Sequence, residues 1–189
     1  MSSNYDKFFP YDKIREPQRA AIDAALTAFS EGKRFVIIEA GTGVGKSAIG
    51  VTINRYFNSQ LALVNDKFSR GGYFVTTQKL LQDQYTSDFG VPSGAMVSIK
   101  SSANYQCKYH QSNSCSESQS LLRSADRNGK FFKTCTQSCR YKLAKKDFLD
   151  SSESVTNFPY LLTEANYSGK IIPREILVVD EAHNACLLY

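Results

Sequence analysis

The 189-residue chain carries a formal charge of +5 and 42% hydrophobic residues, which suits a globular core and excludes a disordered chain. No run approaches the roughly 20 apolar residues that cross a bilayer, and no apolar stretch follows Met1-Ser-Ser-Asn-Tyr-Asp-Lys7, so a signal peptide is excluded and a cytoplasmic protein expected. The charge is uneven: residues 100–146 hold ten Lys/Arg against two Asp/Glu, and the rest hold 13 against 16. A basic segment on a slightly acidic body suits a polyanion, or is a solvated loop.

Tyr11 to Phe29 reads as a helix, with Pro17 in its first turn, and Ala20, Ala21, Ala24, Ala25 and Ala28 with Ile22, Leu26 and Phe29 as helix formers and an apolar face. Gly32 ends it. Arg34-Phe-Val-Ile-Ile-Glu39 is a short β-branched run, expected as a buried parallel strand. A glycine-rich turn follows, then a helix over Ser47–Phe57. Residues 58–72 are a connector in which Leu61–Val64 reads as a short helix or strand. Tyr73–Thr77 is the next strand, Gln78–Tyr85 the next helix, and 97–99 a third strand. From Lys100 to Lys146 the alternation breaks down, as in an insertion. Regular structure resumes at Ser154–Asn157 and at Glu175-Ile-Leu-Val-Val-Asp180. Strands separated by helices imply a parallel sheet and an α/β fold.

Ala40-Gly41-Thr42-Gly43-Val44-Gly45-Lys46-Ser47 fits the P-loop pattern, with Ala40 in place of the first glycine. The glycines let backbone amides converge on phosphate oxygens at a helix N-terminus. Lys46 would reach the β- and γ-phosphates, and the Ser47 hydroxyl would bind Mg²⁺. Downstream, Asp180-Glu181-Ala182-His183 ends an apolar strand with two adjacent carboxylates. Nucleotide hydrolysis needs one carboxylate for magnesium and another for the attacking water. Asp180 and Glu181 can divide these roles, with His183 between the nucleotide and whatever the motor grips.

Cys107, Cys115, Cys135 and Cys139 lie in the basic segment, and Cys186 stands apart. In a reducing cytosol such a cluster more often holds a metal than forms disulfides. Four thiolates suit a [4Fe–4S] cluster, or tetrahedral zinc with His110 as a competing ligand. A small basic insertion poor in apolar residues needs such a staple. Its interleaved Tyr105, Tyr109, Phe131, Phe132 and Tyr141 suit either base stacking or packing around the metal.

With Asp-Glu-Ala-His at 180–183, the chain resembles superfamily 2 helicases. Lys100-Ser-Ser-Ala-Asn104-Tyr105-Gln-Cys107, Cys139-Arg-Tyr141 and Asn157-Phe-Pro-Tyr-Leu161-Leu162 make it similar to the XPD/DinG-like iron–sulphur group, although His is common where Phe158 stands. Arg15-Glu-Pro-Gln18 looks like the group's adenine-side motif, and Val75-Thr76-Thr77-Gln78-Lys79-Leu-Leu-Gln82 like its motif Ia. The resemblance runs from about residue 11 to the end. It implies a RecA-like P-loop NTPase sheet with helices on both faces and a small cysteine-rich insertion. The divisions would be 1–99, 100–146 and 147–189, without the group's arch or second RecA-like domain.

The resemblance further implies ATP, Mg²⁺ and a [4Fe–4S] cluster on the four cysteines. It gives a nucleotide site of Arg15, Gln18 and Ala40–Ser47, and catalysis by Lys46, Asp180, Glu181 and His183. Single-stranded DNA would contact Thr76, Thr77, Gln78, Tyr105 and Lys108. A complete protein would translocate 5′→3′. The chain ends six residues after His183, so it is expected to be inactive alone. Two other readings stand beside this one: a small nucleotide- or nucleic-acid-binding accessory protein, and a P-loop NTPase with a structural zinc site.

Overall fold

The computed structural model describes residues 4–41, 43–61, 71–90, 96–169 and 171–183. The expected segment Leu61–Val64, together with Thr42 and Cys186, lies wholly or largely outside them. Four strands form one parallel sheet: β1 (Gly72–Thr76), β2 (Met96–Ser98), β3 (Glu153–Asn157) and β4 (Ile176–Val179), in the order β2-β3-β1-β4. Helices α1 (Glu16–Ser30) and α2 (Lys46–Leu61) precede β1, and α3 (Lys79–Phe89) lies between β1 and β2. An α/β architecture is what the strand–helix alternation predicts.

Period-two alternation sorts the strand residues between two cores. Phe74 and Val155 face α1, α2 and α3, where they meet Ile22, Ala25, Ile49, Val51, Ile53 and Phe89. Tyr73 faces the other way, onto Ile99, Phe148 and Tyr160. Close approach of α2 to the sheet requires Gly50, because a Cβ there would stand 2.7 Å from Val178 Cγ1. The Arg55–Glu153 ion pair, at 2.7 Å, joins α2 to β3, and Arg55 also donates to Phe89 O at the end of α3.

Two expectations need correction. Arg34–Glu39 is not a sheet strand: among the described residues no ladder pairs with it, and Phe35 and Ile37 are 85% and 94% exposed. Only Val36 and Ile38 pack on the core, so the run is covered on one side rather than two. The second concerns the insertion, which is not irregular. It holds α4 (Cys115–Leu121), α5 (Lys130–Gln137) and α6 (Arg140–Asp150). α6 does present apolar residues at helical spacing, Tyr141, Ala144 and Phe148, but lysines separate them and mask the period.

After β3, Asn157 caps α7 (Phe158–Thr163), its side chain accepting from Tyr160 N at 2.9 Å. Here Phe158-Pro159 forms an ordinary helix start, with Pro in the first turn. A π-helical turn, Glu164–Ser168, follows. No described helix is long and apolar enough to cross a membrane.

Arg174 joins the layers. Its guanidinium donates to Gly72 O, Ser154 Oγ, Phe148 O, Leu149 O and Ser151 O and lies 4.1 Å from the Tyr73 ring centroid. It thereby satisfies carbonyls at the C-terminal end of α6, and burial pushes its basicity down. Arg174→Met should lower unfolding free energy by about 2–4 kcal/mol, because several carbonyls lose their donors together. Urea titration would read this as a lower midpoint at unchanged slope.

Candidate nucleotide site

The sequence puts glycine where the loop turns: Gly43 and Gly45 have φ of 78° and 84°, values that cost other residues about 1–2 kcal/mol. Between them Val44 O accepts from Arg15 Nη2 at 2.9 Å and from Gln18 Nε2 at 2.8 Å. Gln18 also accepts from Arg15 N through Oε1, closing the start of α1. Both residues therefore grip the loop itself. α2 begins at Lys46, whose Nζ donates to Ala40 O at 3.2 Å, so the lysine folds back across its own loop.

β4 delivers the carboxylates to the same place. Asp180 N donates to Val75 O, carrying the ladder with β1 one residue past the strand. Glu181 then takes φ of 54°, the one positive value among described non-glycine residues. Left-handed backbone at a bulky residue is strained and concentrates at functional sites. The turn splits the two side chains. Asp180 Oδ2 accepts from Ser47 Oγ at 3.3 Å, while Glu181 Oε1 lies 3.9 Å from Lys46 Nζ. His183 Nδ1 stands 3.4 Å from Glu181 Oε2, with its side chain largely exposed.

Sequence reasoning missed Tyr85. Its hydroxyl donates to Asp180 Oδ2 at 3.0 Å from the inner face of α3, where it is 2% exposed. Burial pushes the phenol's pKa up, and neighbouring Asp180 pushes it further. The signal was present: Gln82, Tyr85 and Phe89 share the buried face of α3, and two of the three are polar. The Gln82 amide has no hydrogen-bond partner among the described residues.

The residues expected to meet DNA divide. Gln78 and Lys108 are exposed and Thr77 is partly exposed. Thr76 is buried, with its hydroxyl donating to Gln78 O. Tyr105 packs against Tyr141, their ring centroids 5.6 Å apart, and its hydroxyl accepts from Lys100 N. Burial within the sheet takes the Thr76 side chain off the surface, whereas Tyr105 is partly buried against the second core. The start of α3 is tied to the insertion by Lys79–Asn104 at 2.8 Å and Asp83–Lys100 at 2.6 Å.

All four cysteines of the insertion line one small cavity, with Lys108, Tyr109, Ser118, Phe131 and Thr134. Cys115 is the first residue of α4 and Cys139 the N-cap of α6, so two of the thiols are placed by helix starts. Burial first, and then neighbouring Cys139, pushes the Cys115 thiol up to about 12; burial and Cys139 also raise Cys135. Burial raises Cys107 too, but two influences outweigh it and lower that thiol: the Ser118 hydroxyl, short of full hydrogen-bond geometry, and the amides of His110 and Tyr109.

Among the described residues no group of three or more His, Cys, Asp and Glu has the spacing of an assembled metal site. Cys115 and Cys139 sulphurs stand 3.2 Å apart. Two thiolates about 2.3 Å from one tetrahedral ion would stand roughly 3.8 Å apart, and a four-iron cube holds them further still. The donor set suits a thiolate-bound metal, but the Cys115–Cys139 gap as it stands is too short for one. His110 does not line the cavity and instead sits edge-on to Tyr109 and Phe131.

A parallel sheet with a glycine-turned loop at a helix N-terminus, facing carboxylates at a strand's C-terminal end, defines a RecA-like nucleotide-binding domain. The chain belongs to the family described as Type III restriction enzyme, res subunit, which matches residues 12–187. That domain is helicase-like and of superfamily 2, so nucleotide binding and action on nucleic acid are its general business. No curated protein matches the chain.

At Gly45 a Cβ would meet Gln18 Nε2 at 2.7 Å in addition to the left-handed strain. Gly45→Ala should weaken nucleotide binding by roughly tenfold or more if about 1–2 kcal/mol of strain is relieved by moving the loop. Titration with a fluorescent ATP analogue measures it, with circular dichroism unchanged.

Proposed function

We propose that this chain is the ATP-binding half of an iron–sulphur DNA helicase of the XPD/DinG-like group, hydrolysing ATP to drive movement along single-stranded DNA in the cytoplasm. One observation carries the reading: Ser47 and Asp180 meet at 3.3 Å while Lys46 and Glu181 approach to 3.9 Å. Two segments 133 residues apart thus present a hydroxyl, an ammonium and two carboxylates at one point. Hydrolysis of a phosphoanhydride calls for this set.

In this mechanism the amides of Ala40–Ser47 bind the phosphates, and Lys46 leaves Ala40 O to neutralise the β- and γ-oxygens. Ser47 Oγ and Asp180 would hold magnesium, which would supply positive charge opposite the phosphates. Glu181 orients the attacking water and takes its proton. His183, already beside Glu181, relates that carboxylate to the nucleic-acid side. On the resemblance Arg15 and Gln18 would contact the adenine, for which each would have to give up its bond to Val44 O. Gln78, Thr77 and Lys108 offer donors to the backbone of the strand. Thr76 and Tyr105 would join them only after rearrangement.

The four cysteines would hold a [4Fe–4S] cluster as a staple for the basic lobe. The resemblance at Lys100–Cys107 and Cys139–Tyr141 favours it, as does the convergence of four thiols. A single zinc ion is the second reading, because the 3.2 Å gap between Cys115 and Cys139 needs only a small opening to accept one ion.

Anaerobic purification followed by visible absorbance and iron and zinc analysis decides between them. Iron with a visible band is expected. Zinc alone sinks the iron–sulphur assignment, and neither metal sinks both. Lys46→Ala should abolish binding of a fluorescent ATP analogue while metal content stays at the wild-type level. Retained nucleotide binding would remove the P-loop reading, and lost metal would show that the two sites are not separate modules.

A further inference from the structure

Asp180 is held by more than the two motifs. Its Oδ1 accepts from Glu181 N at 3.0 Å, and its Oδ2 accepts from Ser47 Oγ at 3.3 Å and Tyr85 Oη at 3.0 Å. The shorter bond to Oδ2 comes from outside the P-loop and the carboxylate turn. Tyr85 is clamped: its ring lies 5.5 Å from that of Phe74 and 5.4 Å from that of Phe89, and the residue is 2% exposed. A phenol with only two side-chain torsions, both locked by packing, is a fixed post. The carboxylate it meets rotates about a broad terminal torsion and has no such restraint of its own.

We propose that Tyr85 is a positioning residue for the magnesium site, fixing the rotation of the Asp180 carboxylate so that Ser47 and Asp180 face the ion together. This rests on the nucleotide-site reading above. Tyr85 touches neither nucleotide nor ion; it acts through Asp180. With the phenol in place, the carboxylate enters magnesium binding already oriented, and its ordering cost is met by folding. Without the hydroxyl the ring still fills its pocket, but Oδ2 keeps only the longer bond from Ser47 and Oδ1 the bond from Glu181 N, so the ion must supply the rest of the ordering of Asp180.

The test is Tyr85→Phe in the 189-residue chain, with a fluorescent ATP analogue titrated at a series of Mg²⁺ concentrations and again in EDTA. The half-saturating Mg²⁺ concentration should rise roughly tenfold, as for loss of one hydrogen bond to a charged group. Affinity in EDTA, which reads the P-loop without the ion, should move less than about twofold. In an Asp180→Asn background the same substitution should leave the Mg²⁺ dependence where Asp180→Asn alone puts it, since its route runs through the carboxylate.

An unchanged Mg²⁺ dependence in folded Tyr85→Phe overturns the assignment, and so do equal losses with and without Mg²⁺. Failure of Tyr85→Phe to fold overturns it as well, by making the hydroxyl a support of the fold. If the wild-type chain binds the analogue with no Mg²⁺ dependence, the nucleotide-site reading itself falls.

Discussion

The structure turns on one contact, the hydrogen bond from Ser47 at the start of α2 to Asp180 just past β4. Its length is set by how α2 and β4 pack on the rest of the sheet. The Phe74 core fixes α2 against the sheet, and Gly50 lets the helix approach β4 closely enough. The ladder between β1 and β4, extended by Asp180 N to Val75 O, fixes where the carboxylate emerges. A one-residue slip of β4 would turn Asp180 to the opposite face. The chemistry therefore depends on register, and register depends on the alternation of Ile176 to Val179.

Much of this was legible beforehand. Gly43, Gly45, Lys46 and Ser47 between apolar segments, with a carboxylate pair ending a β-branched run, announce a nucleotide site, because phosphate recognition demands backbone freedom and fixed charges. The α/β alternation followed from the same runs. Partners were not legible. Nothing about Arg15 or Gln18 says that both would hold Val44 O, since such contacts depend on how α1 crosses the loop. Tyr85 was hidden because a helix is read for its apolar positions, and a tyrosine on that face passes for core.

The misreadings share a cause. Arg34–Glu39 is apolar enough for an interior strand, yet composition states only that burial would be favourable, not that a partner covers both sides. Phe35 and Ile37 stay largely in water. In the insertion the error ran the other way: cysteines and basic residues drew attention from real helical faces, such as Tyr141, Ala144 and Phe148 of α6 on the second core.

Arg174 has a consequence for acid tolerance. The ion pair that Lys145 makes with Glu164, whose carboxyl is held below its ordinary range, loses its attraction once that carboxylate takes up a proton. The acceptors around Arg174 are backbone carbonyls and a hydroxyl, none of which titrates in water's range. As the medium acidifies, the seam joining β1, β3 and the end of α6 keeps its fastening while the carboxylate-dependent seam loosens. The order in which the layers part at low pH is therefore written into the choice of neutral partners for one arginine.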